Sequence, residues 1–226
     1  VLNQAEHILC SSESTANDAI HFYQIPTKKM TVTPLAYDTN HFQFLDLPTQ
    51  NYFLYTGRHQ PYKNVHRMIQ AFAAIAPHTD TEFWIAGSID NRYTPNLIAQ
   101  IEELNLSDRV RFLSYVSYAD LPKLINQAIA LVFPTLWEGF GLPILEAMAC
   151  GTPVITSNLS SMPEVAGDAA ILVDPYDEAA IADAMTAIAT DPNLRAELRQ
   201  KGRDRAKQFS WQKTAAETAK ILSQYL

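Results

Sequence analysis

Six short apolar runs, Tyr52–Thr56, Phe83–Ala86, Val110–Leu113, Ala130–Phe133, Pro153–Thr156 and Ala170–Val173, alternate with stretches of helical period. Strand-length apolar runs separated by amphipathic patterns predict a parallel sheet covered by helices, because neither element buries its apolar face alone. The expected fold class is therefore α/β: a doubly wound, Rossmann-like, mostly parallel six-stranded sheet with helices on both faces. Val65, Met68, Ile69, Phe72 and Ile75 share one helical face between the first two runs, and Leu97, Ile101 and Leu104 do so before the third. Leu121, Leu124, Ile125 and Ala128 repeat the pattern. Beyond Val173 the chain reads as helical. Ile181, Ala184, Met185 and Ile188 mark one helix, Asp191-Pro192 ends it before a charged one, and Ser210 is an N-cap for a last helix carrying Trp211, Ala215, Ile221 and Leu222. Residues 1–41 differ, with a short strand at His7–Cys10, a helix to about Tyr23 and an extended Met30–Pro34. They read as a connector packed on a domain spanning residues 42–226.

The run Ala130–Phe133 leads into Pro-Thr-Leu-Trp-Glu138-Gly139-Phe140-Gly141-Leu142-Pro143 and then a helix containing Glu146. Gly139 and Gly141 let the backbone turn sharply and approach a ligand, and Pro143 suits a first helical turn. Unpaired N–H groups near Gly141 and Leu142 attract anions such as phosphate. Carboxylates among such donors point to a ligand carrying phosphates and hydroxyls. A nucleotide-sugar fits, with Glu146 near ribose and Glu138 near the sugar. Alone, the two acids would read as a solvated helix residue and a loop charge.

A second constellation, Thr56-Gly57-Arg58-His-Gln-Pro-Tyr-Lys63-Asn, follows the first sheet strand. Ligands of open α/β sheets bind at strand C-terminal ends, where Arg58 would clamp phosphate oxygens and Lys63 would add a mobile point charge. A weaker third feature is the exit of Val110–Leu113, where backbone groups near Leu113 and Tyr115 would meet a nucleobase. His59 and His66 receive no role, and Cys150 reads as a packing thiol.

Several classes are disfavoured. After Gly139 and Gly141 the sixth position is Ile144, so the dinucleotide fingerprint Gly-x-Gly-x-x-Gly is not met, and no Gly-x4-Gly-Lys-Ser/Thr occurs. No two aspartates stand at i and i+2 to hold a divalent metal on a diphosphate, and no metal is expected. The net charge of −7 provides no basic field for nucleic acid or an anionic membrane. Cys10 and Cys150 are the only cysteines and have no metal-ligand spacing, which suits a reducing cytoplasm. No apolar run reaches the roughly 20 residues of a membrane span. The start at Val1 is compatible with a fragment of a longer protein.

Together these residues resemble the retaining glycosyltransferases of family 4, the group 1 enzymes with the two-domain GT-B fold. Gly57-Arg58 to Lys63, Val110–Leu113, and Phe133 through Gly151-Thr-Pro-Val-Ile match in order, followed by Pro163-Glu164-Val and Leu172-Val-Asp174-Pro. The block Glu138 to Glu146 is the most specific. The resemblance implies a C-terminal, donor-binding domain with a nucleotide-sugar, a UDP-hexose by expectation, as substrate and no cofactor. Arg58 and Lys63 would hold the diphosphate and stabilise the leaving nucleoside diphosphate. Glu138 would contact the donor sugar near the reaction centre, Glu146 the ribose, and the Phe140–Leu142 backbone the sugar and phosphate. Transfer would retain configuration, in polysaccharide or glycolipid assembly. The sugar or lipid-linked acceptor, and any peripheral association with the inner face of the membrane, would come through an N-terminal domain that this chain lacks. The isolated chain should bind donor and transfer slowly or not at all. The family commonly has glycine where Ser114 stands, and a Pro-Asn-Gly-Val-Asp run where this chain reads Pro34-Leu-Ala-Tyr-Asp38. The alternatives are a GT-B relative, such as a nucleotide-sugar epimerase or a phosphorylase, and a non-catalytic nucleotide-binding module.

Overall fold

The apolar runs become parallel strands, and continuous rather than alternating hydrophobicity lets the inner ones be buried on both faces, while Val110–Leu113 and Ile171–Val173 at the sheet edges stay partly exposed. A computed structural model describes residues 2–225. Its main sheet contains β3 (Tyr52–Thr56), β4 (Glu82–Ala86), β5 (Val110–Leu113), β6 (Ala130–Phe133), β7 (Val154–Ser157) and β8 (Ile171–Val173). They lie in the order β5-β4-β3-β6-β7-β8, all parallel. The central strands β3 and β6 are buried at every residue.

The connecting helices are α2 (Val65–Ile75), α3 (Thr94–Glu103), α4 (Leu121–Gln127), α5 (Leu142–Ala149), α6 (Met162–Ala166) and α7 (Glu178–Thr190), followed by α8 (Pro192–Ala206) and α9 (Trp211–Leu222). On α2 the expected stripe Val65, Met68, Ile69, Phe72 and Ile75 is wholly buried. Burying each such side chain is worth about 1.5–3 kcal/mol. Helix α2 packs with α3 and α7, and α5 packs with α4, α6 and α8. On α9, Ser210 caps the helix through the Lys213 N–H, yet only Ile221 of the expected stripe is buried while Trp211 and Leu222 stay about half exposed.

The first strands run outward from β3 to β5, and the chain then crosses back so that β6 lies on the other side of β3. That reversal opens a crevice above the C-terminal ends of β3 and β6, the usual ligand site of such sheets. The connector forms its own two-stranded parallel sheet, β1 (Ile8–Cys10) with β2 (Met30–Val32), joined through α1 (Glu13–Tyr23). Among the described residues no helix is long and apolar enough to cross a membrane.

Candidate donor site

Lys63 and Glu138 meet across the crevice. Lys63 closes a single helical turn after β3, Glu138 lies in the loop leaving β6, and their charges are 2.6 Å apart with both side chains 14% exposed. Lys63 is therefore not the mobile charge expected from the sequence: Glu138 restrains its ammonium, which also lies 5.1 Å from the Tyr62 ring centroid and 5.6 Å from that of Phe133.

Asn64, which sequence reasoning passed over, holds this loop in place. It is fully buried in the left-handed region at φ 64°, a conformation Asn tolerates. Its Nδ2 donates to the carbonyls of Pro134 (2.9 Å) and Pro175 (2.7 Å), tying the Lys63 loop to the exits of β6 and β8.

The glycine turn ends at Gly141, at φ 101°, as the N-cap of α5. Among the hydrogen bonds of the described residues, none uses the N–H groups of Gly139, Phe140, Gly141 or Leu142. Four consecutive free donors opening onto a helix N-terminus attract an anion. Gly139 differs from expectation. Its φ is not positive, and an added Cβ would meet only ordinary contacts at 3.7 and 3.8 Å, so folding does not require glycine there.

Arg58 is not joined to this pair. Its side chain is exposed, makes no ion pair among the described residues, and lines a neighbouring cavity of about 530 Å³ with Gln60, Ser88, Asp90 and Arg92. Gly57 stands at φ 148°, and its N–H donates to the Ala86 carbonyl at 2.9 Å. A Cβ there would lie 2.7 Å from the Tyr55 hydroxyl, so this glycine is required.

A cavity of about 170 Å³ at the β3, β4 and β5 exits is lined by Thr56, Gly57, Gly87, Ser114, Tyr115 and Leu121, among others. Tyr115 lies there as expected, its ring largely exposed. Leu113 does not: it does not line the cavity, and its carbonyl accepts the Gly87 N–H at 3.2 Å. Gly87 is a second missed residue, although a glycine directly after an apolar run was a visible signal. His59, assigned no role, is buried, with Nδ1 2.7 Å from Thr94 Oγ1 and, among the described residues, no partner for Nε2. Burial pushes its pKa below the usual imidazole value, against the opposing effect of Asp90.

Glu146 lies half-buried on α5, and burial pushes its carboxyl up to about 7. The folded state therefore keeps the proton where the unfolded chain, with an ordinary carboxylate, has lost it. Stability contributed at this position falls as pH rises from about 4.5 to about 7 and is then constant. Glu146→Gln is expected to stabilise the ligand-free chain by on the order of 2 kcal/mol above pH 7, with the gain vanishing below pH 4. Denaturant unfolding of both forms across pH would reveal this, and a gain independent of pH would contradict it. The carboxyl groups do not gather elsewhere: among the described residues, no group of three or more His, Cys, Asp or Glu is arranged to hold a metal ion.

The family described as "Glycosyl transferases group 1" matches residues 37–205. The O-antigen chain mannosyltransferase B of Escherichia coli is 33% identical over 96% of this chain and 60% of its own length. The chain thus spans about 60% of that relative. The sucrose-phosphate synthase of Thermosynechococcus elongatus superposes with a TM-score of 0.88 at 26% identity, over 99% of this chain and 59% of its own. The Anabaena protein Alr3699/HepE, solved in complex with UDP and glucose, gives a TM-score of 0.87 at 22% identity, over 97% and 63%.

Proposed function

The chain belongs to the group 1 glycosyl transferases, and from that premise we propose that it is the half of such an enzyme that binds the nucleotide-sugar donor, a nucleoside-diphosphate hexose. The observation that carries the reading is the run of unpaired N–H groups from Gly139 to Leu142 beside the Lys63–Glu138 pair. A diphosphate arriving in the crevice would accept from those amides and draw Lys63 away from Glu138. Glu138, released, would face the donor sugar, and Arg58 would reach in from the neighbouring cavity. Glu146, one turn along α5, would accept from the ribose.

As the glycosidic bond breaks, negative charge grows on the leaving diphosphate. Preorganised cations and amides stabilise that charge more than they stabilise the bound donor, which lowers the barrier. In this reading the same groups take the place of a divalent metal, and the configuration of the sugar is retained. Mannosyltransferase relatives favour mannose as the sugar. Uridine remains the proposed base, with Tyr115 beside it. The acceptor and the membrane association belong to the rest of the enzyme, and transfer by this chain alone is expected to be slow or absent.

Calorimetric titration of the chain with UDP-, GDP- and ADP-hexoses tests the proposal. Micromolar binding of one nucleoside diphosphate and its sugar is expected. Failure of all three series to bind would remove the donor-site reading and leave a module with some other partner.

A further inference from the structure

Three consecutive peptide units of the glycine turn are each gripped at the carbonyl by hydroxyl groups. The Glu138 carbonyl accepts from Ser160 Oγ (2.8 Å), and the single Ser161 hydroxyl lies between the Glu138 carbonyl (3.0 Å) and the Phe140 carbonyl (2.9 Å), its one proton shared by the two. Between them, the Gly139 carbonyl faces Ser11 Oγ (2.8 Å), Ser12 Oγ (2.8 Å) and Thr15 Oγ1 (3.0 Å). The last three hydroxyls come from the start of α1, more than 120 residues away in sequence.

A trans peptide unit is planar, so its carbonyl and the following N–H point in opposite directions. Holding the Gly139 oxygen on the α1 side therefore aims the Phe140 N–H away from α1, and the grips on Glu138 and Phe140 do the same for the N–H groups of Gly139 and Gly141. These are three of the four free donors of the candidate site. Preorganised donors bind an anion better than donors that must first be turned towards it.

Helix α1 is fixed to the same region by contacts of its own. The backbone N–H groups of Glu13 and Ser14 donate to the Glu164 carboxylate (2.8 and 3.0 Å), and Trp137 Nε1 donates to Asp18 (2.8 Å). Ser12 is also the N-cap of α1, accepting from the Thr15 N–H at 3.0 Å. A connector needing only to stay attached would be held by those contacts, whereas Ser11 and Thr15 direct their hydroxyls at one ligand-facing peptide.

We propose that Ser11 and Thr15 are positioning residues for the donor site: hydroxyls from the connector orient the turn amides, so the anion site is complete only while α1 is docked. This inference rests on the donor-binding reading above. It also makes donor affinity depend on the connector, whose movement would loosen the Phe140 amide.

The double variant Ser11→Ala/Thr15→Val removes two of the three hydroxyls at the Gly139 carbonyl, keeps the Thr15 shape and leaves Ser12, which also caps α1. Titrated with pyrophosphate and with UDP-, GDP- and ADP-hexoses, it is expected to bind about tenfold more weakly than the parent, from the loss of one to two hydrogen bonds' worth of orientation. Thr15→Ser, which keeps a hydroxyl, should bind as the parent does. In parallel, the ¹⁵N order parameters of Phe140 and Gly141 should fall in the double variant and hold in Thr15→Ser. Parent-like affinity with unchanged order would overturn the inference, as would a loss of affinity shared by Thr15→Ser. If the parent binds no compound of the series, the donor reading fails by itself, and the order parameters still decide whether the hydroxyls set the turn. Should the double variant not fold, Thr15→Val alone is read in the same way.

Discussion

Lys63→Met is expected to weaken nucleoside-diphosphate binding by about 100-fold and to cut transfer by the full enzyme by about 10³-fold, the scale set by losing a charge-assisted hydrogen bond and a preorganised transition-state donor. Methionine is an unbranched side chain of similar length, so the variant chiefly removes the ammonium, together with its contacts to the Tyr62 and Phe133 rings. Glu138→Gln should move diphosphate binding in the opposite direction. In the ligand-free chain the two charges are 2.6 Å apart, and the diphosphate must compete with the carboxylate for the same ammonium. Without that competitor, UDP or GDP alone should bind several-fold more tightly, while transfer falls because the group facing the sugar has lost its charge. Lys63→Met leaves a half-buried carboxylate without its partner and will cost stability; Lys63→Met/Glu138→Gln removes the uncompensated charge and should recover it without recovering binding. Calorimetry on the four chains checks the pattern. Weaker diphosphate binding in Glu138→Gln would mean that the pair acts as one cradle and not as competitors.

The sequence made Lys63 and Glu138 legible as candidates because each follows a recognisable strand and a turn. Their pairing was not legible. It spans 75 residues, and no local period records which loop faces which. The same limit hid the hydroxyls of Ser11, Thr15, Ser160 and Ser161, whose partners are backbone carbonyls that carry no side-chain signature. Asn64 was hidden differently: an Asn after a Lys before a helix looks like an ordinary cap, yet its side chain makes no cap hydrogen bond and serves tertiary contacts instead. At Leu113 the sequence does not show that the neighbouring strand continues to Gly87, whose N–H donates to the Leu113 carbonyl.

For the fold, periodicity carried most of the information. Continuous apolar runs located all six strands of the main sheet to within a residue at either end, since burial on both faces leaves the inner strands little choice of residue and the partly exposed edge strands β5 and β8 are still mostly apolar. The connector was less readable, because His7–Cys10 and Met30–Pro34 are too short to show that they pair with each other in a separate sheet. On α9 the helix was clear from its cap, but of its expected apolar stripe Ile221 alone is buried, and Thr214 Oγ1 donates to the Pro34 carbonyl of the connector at 2.6 Å.

Gly87→Ala is expected to be the most destabilising of the single substitutions considered. A Cβ at Gly87 would lie 1.9 Å from the Gly57 carbonyl oxygen and 3.3 Å from His59 Nε2. The obstacle is backbone, so no rotamer change relieves it. Gly57 cannot retreat easily either, since its N–H is bonded to the Ala86 carbonyl and its φ of 148° already excludes other residues. The strands β3 and β4 are locked in register from Tyr52↔Glu82 to Thr56↔Ala86, and relief requires parting them at their C-terminal ends. A cost above about 4 kcal/mol follows, which lowers Tm by about 10 °C or more in a chain of this length. Gly139→Ala is the contrasting case: its Cβ meets nothing closer than 3.7 Å, so Tm should stay within about 3 °C of the parent, the shift that about 1 kcal/mol produces. A Gly87→Ala chain melting beside the parent would show that β3 and β4 do not approach this closely. The two glycines thus differ in what folding asks of them, for Gly87 is needed to bring the strand ends together, whereas the turn has room for a methyl at Gly139 beside Ser11 and Thr15.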